Sequence, residues 1–155
     1  MEVPMQGQGE LEDRAGDVYT RVYTLRAEVS RVFSENFYLK PGVSKGARRG
    51  KGKNGRGAYL YLSPEARTYK KELIPKLEEE ARRAGFPYGK ELPFRVCYTF
   101  LLNKNRDVTN MIKVTEDALS EAIGVDDSVW SEVCARKVVD EGRENEVVII
   151  ELYCR

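Results

Sequence analysis

Between Val18 and Val29, in V-Y-T-R-V-Y-T-L-R-A-E-V, residues Tyr19, Tyr23, Leu25, Ala27 and Val29 share a parity and β-branched and aromatic residues dominate. That period-two pattern predicts a strand with one buried face. Ala58 to Leu62 predicts a second, short strand. Ser63-Pro64-Glu65 then reads as a helix start: Ser can cap, Pro is tolerated in the first turn, and Glu favours the positive end of the dipole. Tyr69, Leu73, Leu77, Ala81 and Ala84 mark one face of that helix up to Gly85, and Pro75 inside it predicts one bent helix or two pieces. Pro93 to Leu102 alternates Phe94, Val96, Tyr98 and Phe100 with Arg95, Cys97 and Thr99, a strand. Asp107 to Ile123 reads as a helix closed by Gly124. Val129 to Val139 and Glu146 to Tyr153 read as strands joined by the polar D-E-G-R-E-N, a C-terminal hairpin. The order β, basic loop, α, β, α, β, β over 155 residues fits a single two-layer α+β domain with two main helices spanning 17–155.

Outside these elements, residues 1–16 lack periodicity and carry Glu2, Glu10, Glu12 and Asp13, which predicts a disordered acidic tail. The net charge of +1 hides a second segregated stretch. Residues 40–57 hold Lys40, Lys45, Arg48, Arg49, Lys51, Lys53 and Arg56 with frequent Gly and no acid, which predicts a flexible basic loop that tracks phosphates. A solvated surface loop is the plainer alternative. Tyr38, Tyr59 and Tyr61 could stack on unpaired bases, although packing suits them equally. No apolar run is long enough to span a membrane and no signal peptide is evident, so a soluble cytoplasmic protein is expected. Cys97, Cys134 and Cys154 are odd in number and far apart, which suggests buried reduced thiols.

Histidine is absent, which removes the usual general base near neutral pH and every Ser-His or Cys-His nucleophile pair. Hydrolytic chemistry would then rest on carboxylates, Lys or a metal. Asp107, Asn110, Lys113 and Asp117 are spaced three, three and four apart, which places them on one helix face. Met111, Ile112, Ala118, Leu119, Ala122 and Ile123 remain for the buried side. Asp126 and Asp127 follow the helix, and a strand pairing beside the one that ends at Leu102 would carry them back toward Asp107. A hard divalent cation needs only one or two such carboxylates plus water and substrate phosphate. Lys113 would bear charge on the phosphate, Asp117 would restrain it and Asn110 would fix a ligand or water. Structural roles also suit these residues: Asp107 as a helix cap, Lys113 and Asp117 as a solvated stripe, Asp126-Asp127 as a turn.

The run R-D-V-T-N-M-I-K-V-T-E-D-A-L-S-E-A-I-G-V-D-D-S-V-W from Arg106 to Trp130 resembles the core of the RusA-type Holliday junction resolvases. Weaker likeness extends through Asn36, Tyr38, the basic loop, Leu62-Ser63, Glu65 and Tyr69. The resemblance implies an α+β homodimer, built on a mixed β-sheet, that binds four-way or branched DNA and cuts it with Mg2+ or Mn2+ in recombination and repair. Carried over by position, Asp107 and Asp127 match metal ligands, with Asp126 beside the latter. Asn110 and Lys113 match the helix Asn and essential Lys, and Asp117 matches an acid before the Ala-Leu pair. Lys45, Arg48, Arg49, Lys51, Lys53 and Arg56 fall to DNA binding. The departure is Thr109, where the family places a second catalytic Asp, so a junction-binding protein without nuclease activity is the alternative. An RNA-binding module is a third reading, without the aromatic or Gly-rich signatures of common RNA folds.

Overall fold

The computed structural model describes residues 11–12, 18–19, 21–34, 39–43, 58–88 and 93–155, with side chains described for 21–34, 63–88 and 93–155. Among these described residues, ten regular elements follow in chain order. The short strands β1 (Leu11–Glu12) and β2 (Val18–Tyr19) pair with each other and precede the long strand β3 (Arg21–Val29). Strands β4 (Leu39–Val43) and β5 (Ala58–Leu62) form an antiparallel pair. Helix α1 (Pro64–Ala84) leads to β6 (Pro93–Leu102), helix α2 (Thr109–Ile123), β7 (Glu132–Val139) and β8 (Glu146–Cys154). The domain is α+β, as its pattern predicts: a mixed four-stranded sheet carries two helices. β4 takes in Lys40 to Val43, and the rest of the basic stretch lies outside the described residues, as does most of the acidic 1–16 segment.

Helix α1 starts and stops where its sequence says. Ser63 is extended at φ −65° and ψ 153°, and its hydroxyl accepts from the Ala66 N–H at 3.2 Å. Gly85 adopts a left-handed φ of 76°, which an L side chain resists, and its N–H donates to the Arg82 carbonyl at 3.1 Å. The helix runs unbroken through Pro75. An interior Pro costs about 3 kcal/mol, but Leu73 and Leu77, one on each side, are fully buried. Burial of each contributes about 1.5–3 kcal/mol, enough to offset that cost. Ala84, expected on the buried face, is exposed; Ala66 takes a place there instead.

The sheet order is β3-β8-β6-β7. The expected C-terminal hairpin is not formed: β7 pairs in parallel with β6, while β8 lies antiparallel between β3 and β6. Burial decides this arrangement. Val147, Val148, Ile150, Leu152 and Cys154 of β8 are all buried, which suits a strand flanked on both sides, whereas most of β7 is exposed and suits an edge. Parallel register sets Cys97 directly opposite Cys134, and the two are joined by a disulfide with Cα atoms 4.5 Å apart. Sequence distance concealed that partnership, and the expectation of three reduced thiols holds only for buried Cys154.

The two edges of this sheet differ. Along β3, helix α1 satisfies the outward backbone groups: Glu80 accepts from the Arg26 N–H at 3.1 Å, Glu72 from the Ser30 N–H at 3.1 Å, and Lys76 donates to the Glu28 carbonyl at 2.5 Å. Along β7, Val133, Val138 and Val139 remain exposed. The two helices are tied by a 2.7 Å hydrogen bond between the Tyr69 and Thr115 hydroxyls and by the Lys70–Glu121 ion pair. Among the described residues, no helix is long and apolar enough to cross a membrane.

Candidate active site

β6 ends at Leu102, and the chain crosses to α2 through Asn103 to Val108. Arg106 is anchored within this crossing. Its guanidinium pairs with Glu146 of β8 and donates to the Val32 carbonyl at 2.7 Å. Glu146 is fully buried, and its two oxygens also accept from the backbone N–H groups of Val32 and Asn103, each at 2.8 Å. Burial of Glu146 favours the neutral acid, but the Arg106 hydrogen bond and the two backbone donors outweigh it and hold its pKa below the usual carboxylate range. Lys137 of β7 donates to the Arg106 carbonyl at 2.7 Å.

Asp107 comes next, exposed and ahead of the helix rather than within it. Its carbonyl accepts from the Asn110 N–H at 3.1 Å, and α2 starts at Thr109 with no side-chain cap. The structural role of an Asp107 cap is therefore unused. Asn110 sits half-buried in the first turn of α2.

Lys113 lies one turn further on. Its ammonium is 3.2 Å from Asp127, 3.3 Å from Asp117 and 3.9 Å from Glu116. Met111, Val114, Thr115, Ala118, Leu119 and Ala122 bury the opposite side of the helix. Gly124, at a left-handed φ of 69°, ends α2 and lets the chain fold back so that Asp126 and Asp127 reach the helix face. Asp126 accepts from the Ser128 N–H at 3.1 Å, capping a short 3-10 turn over Asp127–Val129. Asp117, Asp126 and Asp127 line an open groove of about 450 Å3 with Lys70, Ser120 and Glu121.

Charge around this groove is biased. Partial burial disfavours the Lys113 cation, but the Asp127 hydrogen bond and the Asp117 charge more than compensate and raise its pKa. Lys113 is therefore a fixed cation, unsuited to taking up a proton. Burial raises the Glu116 pKa, against the Lys113 charge and with the help of Asp127 and Asp117. Asp126 is held below its ordinary value, chiefly by the hydrogen bond it accepts from the Ser128 N–H. On β6, fully buried Tyr98 has its hydroxyl pKa pushed up by burial and then by Glu116, Asp117 and Asp127, so it stays protonated.

Lys113, Asp117 and Asp127 thus come together with Asp126 alongside. The strand that follows does pair beside β6, with Arg95 opposite Glu132 and Leu102 opposite Val139. Parallel pairing sets the chain ahead of β7 at the far end of the strand pair from Asp107, and the returning loop meets α2 at Lys113. Lys45, Arg48, Arg49, Lys51, Lys53 and Arg56 lie outside the described residues. Three contributing residues escape the sequence pattern. Glu116 is signalled only by its i+3 spacing from Lys113, Glu146 only as a polar start to an apolar strand, and Lys137 by nothing local.

Adjacent carboxylates of Asp126 and Asp127 in an open groove suit a hard divalent cation that completes its shell with water and substrate phosphate. Among the described residues, no group of three or more His, Cys, Asp or Glu stands close enough to hold a metal. Residues 41–151 match the family model described as Endodeoxyribonuclease RusA. No curated protein matches the chain.

Proposed function

Because this chain belongs to the RusA endodeoxyribonuclease family, we propose that it is a Mg2+- or Mn2+-dependent endonuclease that resolves Holliday junctions or other branched DNA as a homodimer. The observation that carries this reading is the fixed cation of Lys113 seated among Asp117, Asp127 and Glu116, beside an open groove that Asp117 and Asp127 line. Asp126 and Asp127 would hold the metal cation with the help of water and substrate phosphate, and Asp107, matched by position to the family's first acidic ligand, would serve the same reaction from the crossing into α2. When bound, the cation polarises a phosphate oxygen and eases deprotonation of the attacking water.

The chain's own residues supply the remainder. Lys113 keeps its proton and offers charge to a non-bridging phosphate oxygen as negative charge develops there. Asp117, one turn along α2, restrains the ammonium so that little reorganisation is needed when DNA arrives. The cations of 40–57 contact phosphates and position the junction without reading sequence. A two-fold dimer sets two such grooves about one axis, which matches the approximate symmetry of a four-way junction.

The test is incubation with a labelled four-way junction and a matched linear duplex, in Mg2+, in Mn2+ and with chelator. Metal-dependent paired nicking of the junction is expected, and Asp107→Ala should abolish it while sparing binding. Cleavage retained in that variant would remove Asp107 from the site. Thr109 favours a second reading. Standing at the start of α2, it cannot supply negative charge two residues after Asp107, and a junction-binding protein without nuclease activity would then shift the junction uncut in every condition.

A further inference from the structure

We infer that Lys137 is a positioning residue for Asp107, acting through the peptide bond that joins Arg106 to it. The inference rests on Asp107 serving the reaction proposed above. The Lys137 ammonium donates to the Arg106 carbonyl at 2.7 Å, and that carbonyl belongs to the same planar peptide unit as the Asp107 N–H. The Arg106 side chain is independently held by buried Glu146 and by the Val32 carbonyl. Beyond Asp107, its own carbonyl accepts from Asn110 at the head of α2. Both peptide planes flanking Asp107 are therefore pinned, and its carboxylate retains only its side-chain torsions.

Lys137 is the member of this network that couples Asp107 to β7. The chain entering β7 also delivers Asp126 and Asp127, so a hydrogen bond from this strand to the Arg106 carbonyl fixes one acidic element relative to the other. A charged donor on a neutral carbonyl is stronger than an ordinary backbone bond. Lys137 is half-buried on the largely exposed edge strand β7, so its replacement should leave folding intact, which is not true of Glu146. Misplacing a catalytic carboxylate by an ångström can cost about 100-fold in rate.

The full chain carrying Lys137→Met should cut a labelled four-way junction about 10- to 100-fold more slowly in single-turnover assays. Junction affinity and its salt slope should be unchanged. The 15N amide signal of Asp107 should move, because its peptide carbonyl loses a donor, and Lys137→Arg should restore most of the rate. Wild-type cleavage by Lys137→Met, or an unmoved Asp107 amide, would overturn the inference. So would a salt slope lowered by about 0.9 with cleavage loss tracking weaker binding, since Lys137 would then be a phosphate contact. Asp107→Asn run in parallel separates the two levels: cleavage by Asp107→Asn sinks the underlying reading, whereas an inert Asp107→Asn beside a fully active Lys137→Met sinks only the role of Lys137. If the wild-type protein binds without cutting, the amide signal still decides the contact.

Discussion

Arg106 and Lys113 are seven residues apart and each faces carboxylate, yet the two arrangements differ in kind. Arg106 meets a single carboxylate that is fully buried and already hydrogen-bonded to two backbone N–H groups. Lys113 is 57% exposed and shares three carboxylates, none with an ideal claim on it. Buried charges left without a partner are expensive, so the first arrangement is fixed once the chain folds. Exposed ones exchange partners readily, so the second can admit a phosphate. The difference teaches that proximity of opposite charges says little about role; burial and the number of satisfied lone pairs say more.

The largest effect should come from the buried side of this contrast. Glu146→Gln leaves Arg106 without its counter-charge and should cost about 3–5 kcal/mol in urea unfolding, while Lys113→Met should shift stability by less than about 1 kcal/mol. Equal losses would erase the distinction. Activity should invert that order of sensitivity. Lys113→Met should reduce single-turnover junction cleavage about 100- to 1,000-fold with binding retained, the scale seen when one transition-state charge partner is removed.

Acid sharpens the comparison next. Because the Glu146 pKa is lowered on folding, its contribution is fully present above the unfolded value of about 4.3 and is lost as pH falls through the folded value. Wild-type stability should therefore drop more steeply below about pH 4.3 than that of Glu146→Gln, and parallel curves would contradict the buried pair's role. The smallest effect should be Asp117→Asn. It removes an i, i+4 partner that contributes about 0.3–0.5 kcal/mol, so cleavage should fall only about two-fold while Asp127 still holds Lys113.

Local physics made much of the molecule legible in the sequence. The parity of Tyr23, Leu25, Ala27 and Val29, the Ser63 cap and the glycines at 85 and 124 all act within a few residues, and each stands where its pattern indicates. So does the grouping of Lys113 and Asp117 on one helix face. What escaped was pairing between distant segments. Nothing near Glu146 announces Arg106, and nothing near Cys97 announces Cys134. The polar turn after β7 looks like a hairpin because its residues satisfy turn chemistry whichever strand the chain joins afterwards. The pattern places Asp107 on the helix for a related reason: an acid before an apolar run reads as a cap, whereas α2 starts at Thr109 with no side-chain cap.

β8 occupies the middle of the sheet although it comes last in the order of elements. Every hydrogen-bonded neighbour it needs, β3 on one side and β6 on the other, is synthesised long before it. A nascent chain that has emerged only through β7 therefore carries two strands with an unfilled space between them, and Arg106 without Glu146. Such a chain can form helices and the local β6-α2-β7 unit, but its sheet closes only after β8 arrives. Folding should accordingly be slow for a domain of this size, dominated by contacts of high sequence separation, and the crossing that carries Asp107 should be among the last parts to become rigid.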